Sequence, residues 1–347
     1  MKHPIYSLVS VGLVCISLSA CQLNQKPQIQ PQIIEVQFTD QEKQANTLAA
    51  QDLFSQYSLW QLNSSPMLQA YRGLKTNYSQ WDDISESTQE AANQKNTNFL
   101  LDAQQIQQAS LDANTALSLE ILIYQLKQNQ EHYNFRHHNY PVNQLFGLHS
   151  EIVNFLINIH KVDTINDAKD YIERVKNSSI LINQLINQLK IREEKGIYPP
   201  KFAYQSVIES STKILSGYPL NKTDKEQHIL WTDFSNKIES LKLYGTSEKV
   251  LTYSLKKALT KSFKPAYKKL IAHLKQSQLK ASQETGFHQF PMGSDFYNLR
   301  LKAVTTTDIN AQQIHQLGLS EIASIKLQIT QLLPKLGETS IEALFSK

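Results

Sequence analysis

Residues 163–196 read "DTINDAKDYIERVKNSSILINQLINQLKIREEKG". Apolar side chains recur there at helical spacing, with charged and amide side chains between them. Residues 163–166 offer capping side chains at one end, and Gly196 stands at the stop at the other. A helix of this length must bury its apolar face, and the chain around it offers almost only further helices. From Asp40 a helical pattern includes Leu48, Phe54 and Trp60 and is closed by Ser64, Ser65 and Pro66. A long polar segment, residues 89–130, carries Phe99, Leu100, Ile106, Leu117, Ile121 and Tyr124 as potential apolar stripes. Pro141 opens a segment that runs through His160, and Tyr198, Pro199 and Pro200 break the chain before residues 202–214 resume. Residues 223–243 and 247–279 complete the set. Strand signal is confined to residues 33–38 and 297–305, and no repeat of fixed period occurs. The fold class expected is all-α, with at most a small strand element.

The 347 residues are 41% hydrophobic, enough for one large core or two smaller ones. Thirty-five basic residues face 31 acidic ones. That balance is too even for a nucleic-acid partner, whose binders concentrate Lys and Arg. Abundant Asn and Gln make the surface polar without making it charged. In the Lys-rich run from Glu248, Lys256, Lys257, Lys261, Lys264, Lys268 and Lys275 interleave with Leu259, Phe263, Tyr267, Leu270 and Leu274. That spacing describes a solvated helix lying on a core, not a membrane-surface helix. Pro265 should kink or restart it.

The first residues are of another kind. A short basic start, Met1-Lys2-His3, precedes the apolar run "IYSLVSVGLVCI". The run is too short for a stable membrane span and of the right length for the core of a secretion signal. "LSAC", ending at Cys21, resembles the bacterial lipobox. There small residues admit the processing peptidase, and the Cys sulfur takes the diacylglycerol thioether. This resemblance makes residues 1–20 a signal peptide and Cys21 the lipid attachment site. Gln22, where an Asp would favour the inner membrane, implies the periplasmic face of the outer membrane. Residues 21–39 then form a Pro-spaced tether, and residues 40–347 form the helical domain. Cys15 and Cys21 are the chain's two cysteines, so the mature chain is left with neither a free thiol nor a disulfide.

A search for chemistry gives mostly exclusions. None of the ten histidines is followed by Glu, so no HExxH helix exists. GxSxG, Walker and GxGxxG patterns are missing too. His132, His137 and His138 have the wrong spacing to share a helix face as metal ligands, and read as a polar helix-to-loop corner. His149 and His160 share a face but lie three turns apart, which predicts a partly buried or surface role. Asn310 to Gln313 resembles a capping box, so Thr305, Thr306 and Thr307 lead into a helix start.

"YRGLKTNYSQWDDIS", "YPVNQLFGLHSEIVNFL", "DAKDYIERV", "KGIYPPKF" and "GFHQFPMGSDFYNLRLKAVTTTDINAQQIHQLGLSEI" occur in this order. Together they resemble successive blocks of the bacterial domain-of-unknown-function 885 family. Its members resemble zinc metallopeptidases of the gluzincin type, helical proteins with a deep cleft, many of them exported lipoproteins. By that resemblance residues 286–322 form one cleft wall. Phe290, Tyr297, Thr306 and Thr307 are the expected contacts to a peptide or to a second polypeptide. The family's HExxPGH-like zinc helix falls in its second half, and no position here matches it. The expectation is therefore a chain truncated before the metal-binding half, with no metal ligand and no cofactor of its own. Zinc would come only with the other half. Three readings follow: a relic, one half of a split peptidase, or a helical lipoprotein that binds a peptide or protein without chemistry. Residues 286–347 should be the least stable part, with Ile322, Ile325, Ile329 and Leu332 left without a partner.

Overall fold

A computed structural model describes residues 37–242 and 246–346. The expected signal peptide, Cys21 and nearly all of the tether lie outside the described residues. So does most of the strand expected at 33–38, whose last two residues form no strand.

α1 (Asp40–Ser64) ends where Ser65 begins α2 (Pro66–Tyr71). The Ser65 hydroxyl accepts the Leu68 N–H at 3.0 Å. Pro66 occupies the first turn, where its missing N–H leaves no helical bond unmade. Ser85 caps α3 (Glu86–Gln105), and Asp112 caps α4 (Ala113–Asn134) by accepting from Asn114 and Thr115. The long segment expected at 89–130 is thus two helices packed side by side. They share a core with α1 made of Leu53, Tyr57, Phe99, Leu100, Ala103, Leu119, Leu122 and Leu126. Leu117, Ile121 and Tyr124, expected to form the stripe on this segment, are exposed. The break at Asp112 restarts the helix and sets which face turns inward.

The main core surrounds α6 (Ile165–Glu194). The Thr164 hydroxyl accepts the Asp167 N–H at 3.2 Å, and Asp167 accepts the Thr164 N–H at 2.9 Å. This reciprocal box fixes the start of the helix. Gly196, at φ +74°, ends it in a backbone region that glycine enters without a Cβ clash. Against α6 lie α5 (Leu148–Asn158), α7 (Lys201–Ile214), α8 (Ile229–Glu239), α9 (Thr246–Ala258) and α10 (Lys264–Lys280). Tyr171, Val175, Leu181, Ile182 and Leu185 of α6 are buried completely or nearly so. Each such side chain contributes about 1.5–3 kcal/mol of burial. In the Lys-rich run Leu259, Phe263, Tyr267, Leu270 and Leu274 are fully buried, as the solvated-helix reading requires. Pro265 stands in the first turn of α10, where the α-helix restarts as expected. A π-helical turn, Leu259–Phe263, precedes α10 and absorbs the proline.

α11 (Gly293–Thr305), α12 (Ala311–Leu332) and α13 (Ile341–Phe345) close the described chain. The strand expected at 297–305 is helix: Tyr297, Val304 and Thr305 favour strands locally, but helical spacing lets Phe296 reach an aromatic cluster. Asn310 and Gln313 form the expected capping box at the start of α12. No residue of α12 is buried. Among the described residues there is no strand, only two isolated bridges, and no helix long and apolar enough to cross a membrane.

Candidate functional site

Residues 286–296 fold onto the corner that follows α4. Tyr140 stacks on Phe287 with ring centroids 5.6 Å apart, and Phe290 meets Tyr140 edge-on at 6.0 Å. Phe287 meets Phe296 at 4.9 Å, and Phe296 lies near His138 and Phe135. The His138 Nε2–H donates to the Pro291 carbonyl at 2.9 Å. Gly293 lies so close to the Phe287 backbone that a Cβ there would fall 1.6 Å from its carbonyl oxygen. Phe290, expected to contact a ligand, is instead buried in this cluster. Its ring fastens α11 to the body.

So fastened, α11 lies across α4 and forms one wall of a polar cavity of about 480 Å³. Phe296 and Arg300, one helical turn apart, face it together. The opposite wall is α3, with Gln89, Asn93 and Asn96; the floor is Asn129 and His132 of α4. Arg136 and Asn139 of the corner and Arg192 of α6 close the end. A second cavity of about 380 Å³ shares Asn129 and His132 and continues along α4. It adds Tyr57 and Gln61 of α1, Gln125 and Gln128 of α4, and Ala303 of α11. Together they form a groove lined by carboxamides. Two of its buried acceptors, Asn96 Oδ1 and Gln128 Oε1, have no hydrogen-bond partner among the described residues. An unpaired buried carbonyl oxygen is costly unless a donor reaches it.

The three guanidiniums differ in what they can still do. Arg192 is buried and spends its N–H groups on the carbonyls of Asn139, Gln188 and Arg136 and on the Asn139 and Gln188 side chains. Arg136 lies 4.0 Å over the Tyr133 ring and 3.5 Å from Glu86, whose carboxylate also accepts from His137 and Gln188 at 2.9 and 2.8 Å. Arg300 is exposed, and no hydrogen bond or ion pair engages it among the described residues. No carboxylate, Ser, Thr, Cys or Lys lines either cavity. Burial, then the nearby Arg300 charge, holds the His132 imidazole below its ordinary value.

Of the other residues expected to contact a partner, Tyr297 faces outward, half exposed. Thr306 ends α11 at φ +54°, a conformation uncommon for a β-branched residue, and its hydroxyl donates to the Thr305 carbonyl. The Thr307 hydroxyl turns to that of Thr305 at 3.0 Å. These threonines close a helix end and do not line the groove. His149 and His160, expected to be partly buried or on the surface, are buried. The His160 Nε2–H donates to the Asp167 carbonyl at 3.0 Å, and its Nδ1 accepts from Arg174 at 2.9 Å. That guanidinium is itself fully buried, 4.9 Å over Tyr78 and 4.7 Å over Phe155.

A gluzincin zinc does not fit the described residues. No group of three His, Cys, Asp or Glu among them could hold a metal ion, and His137 and His138 are committed to Glu86 and Pro291. Ser277, His273 and Glu193 meet near the end of α6 but do not form a hydrolytic triad. The Ser277 hydroxyl donates to the Glu193 carboxylate at 2.5 Å, and His273 Nε2 lies 3.0 Å from the same oxygen. No base is left facing the hydroxyl.

Comparison with known proteins agrees with the fold. A crystal structure described as that of a putative lipoprotein from Colwellia psychrerythraea superposes with a TM-score of 0.71 at 21% identity. The match covers 86% of this chain and 52% of that one, so this chain spans about half the length of that protein. At this identity the likeness is one of fold. No curated protein matches the sequence. Residues 66–347 match the family described as "Bacterial protein of unknown function (DUF885)". The chain belongs to this DUF885 family.

Proposed function

We propose that this chain is an exported, lipid-anchored binding protein. It holds a peptide segment in the groove along α4 and performs no chemistry on it by itself. The observation that carries the reading is the lining. Carboxamides match the donors and acceptors of a peptide backbone, and guanidiniums stay charged at every physiological pH. Neither supplies a nucleophile or a general base, and the groove presents no hydroxyl of Ser or Thr, no amine and no carboxylate. The anchor rests on "LSAC" and Gln22, which direct Cys21 to the periplasmic face of the outer membrane. The Colwellia protein's description as a putative lipoprotein supports the lipid anchor.

A second reading rests on α12. Its exposed Ile322, Ile325 and Leu332 share one apolar face that has no cover among the described residues. A second polypeptide would cover it, and zinc and peptidase activity would arrive with that polypeptide. One preparation tests both readings. The purified chain, mixed with zinc and a fluorogenic peptide pool, should bind peptide, leave it intact and carry a lipidated Cys21 by mass spectrometry. Chelator-sensitive hydrolysis by the chain alone would overturn the first reading, and an unlipidated mature N-terminus would remove the anchor.

A further inference from the structure

We infer that the groove along α4 reads the C-terminal carboxylate of an extended peptide, with Arg300 as the group that takes it. This rests on the peptide-binding reading above and adds the polarity of the bound chain. Three observations meet in one place. First, Asn96 Oδ1 and Gln128 Oε1 are buried oxygens without a donor among the described residues. A ligand that satisfies them must bring N–H or O–H groups. Second, Arg300 is the guanidinium of the groove that no carbonyl or carboxylate has claimed, whereas Arg192 is fully committed and Arg136 is partly paired with Glu86. A guanidinium fork pairs with a carboxylate through two parallel hydrogen bonds. Third, the groove is long. Its α4 floor runs from Gln125 to the Arg136 corner, about 16 Å at the helical rise per residue. That is the reach of about five extended residues.

The charge around Arg300 favours the same ligand. Arg136, Arg192 and Arg300 line the cavity, and the carboxylate beside them, Glu86 behind the wall, is already shared by Arg136, His137 and Gln188. An incoming anion therefore meets net positive charge without displacing a resident acid. Phe296, one turn from Arg300 and held by the aromatic cluster, offers an apolar edge for a neighbouring side chain. A peptide supplies the N–H donors for the two orphan oxygens and the carboxylate for Arg300 in one molecule. A free anion supplies only the second.

Isothermal titration of the full chain in detergent micelles tests this, using acetyl-tetraalanine as the free acid and as its C-terminal amide. The acid should bind about tenfold or more tightly than the amide, the scale of a charge-assisted pair. Arg300→Met should erase that preference by weakening the acid to the level of the amide. Arg300→Lys should restore part of the preference, because a point charge replaces the fork. Gln128→Leu should weaken acid and amide by the same factor, since it removes a side-chain acceptor for the peptide N–H groups and not the cation. Arg300 is exposed, so its variants should fold. Equal binding of acid and amide by the unaltered chain would overturn the carboxylate assignment and leave the peptide reading standing. Failure of both to bind would overturn the two together. Inorganic phosphate or glucuronate competing as strongly as the acid would show a general anion site and overturn the assignment to a peptide end.

Discussion

α6 and α12 both begin with a reciprocal capping box and both carry an apolar stripe, but their surroundings are opposite. α6 buries Tyr171, Val175, Leu181, Ile182 and Leu185 among α5 and α7–α10. α12 buries nothing, and Ile322 and Ile325 are about half exposed, at 53% and 51%. An amphipathic pattern states that a face prefers cover. It does not state which element provides it. Between the two stands α11, short and weakly apolar, yet fastened by Phe287, Phe290 and Phe296. The expectation that residues 286–347 behave as one loose unit is therefore split. Residues 286–305 dock on the body, and α12 does not.

The contrast is most severely tested at Arg174, the buried guanidinium between α6 and the Tyr78 and Phe155 rings. Arg174→Ala leaves His160 Nδ1 and the Gln80 carbonyl without their donor, and at about 1–3 kcal/mol for each unsatisfied acceptor should cost about 2–6 kcal/mol in urea unfolding. A matched pair of truncations compares the helices directly. Leu185→Ala in α6 should cost about 2–5 kcal/mol. Ile325→Ala in α12 should stay within about 0.5 kcal/mol. A comparable loss at both sites would mean that α12 is covered after all.

Acid should attack the α6 side alone. Burial holds the His149 imidazole down to about 4, and burial together with the neighbouring Arg174 holds His160 down to about 3. Below the ordinary value of about 6.5 the unfolded chain takes up protons that the folded chain refuses. Stability should therefore fall progressively as pH drops from about 6.5 toward those values, by about 2 kcal/mol per histidine between pH 7 and pH 5. His149→Gln should flatten the slope of the midpoint against pH. Smallest of all, Asn310→Ala removes the α12 cap and should loosen that helix locally by about 1 kcal/mol, with the global unfolding midpoint unmoved.

The sequence made the helices readable because their stripes, caps and breaks are local: Thr164, Gly196, Ser65 with Pro66, and Asn310 with Gln313 all act within a few residues. The Lys-rich run was readable for the same reason. The groove was not. Its walls come from α1, α3, α4, α6 and α11, and nothing in the local pattern of Asn96, Gln128 or Arg300 says that they converge. The one available hint was the one-turn spacing of Phe296 and Arg300 on the segment already expected to line a cleft. Aromatic chemistry alone singles out Phe290 and Tyr297 in the sequence, and packing turns the first inward and the second outward.

Hydrogen exchange across the helices of the isolated chain tests the central contrast most directly. Amides of α6, Ile165–Glu194, should exchange at the rate set by global unfolding. Those of α11, Gly293–Thr305, should exchange at an intermediate rate, and those of α12, Ala311–Leu332, fastest, by local fraying. Protection in α12 equal to that in α6 would show that its apolar face already has a partner within this chain, and the account of an uncovered helix would fall.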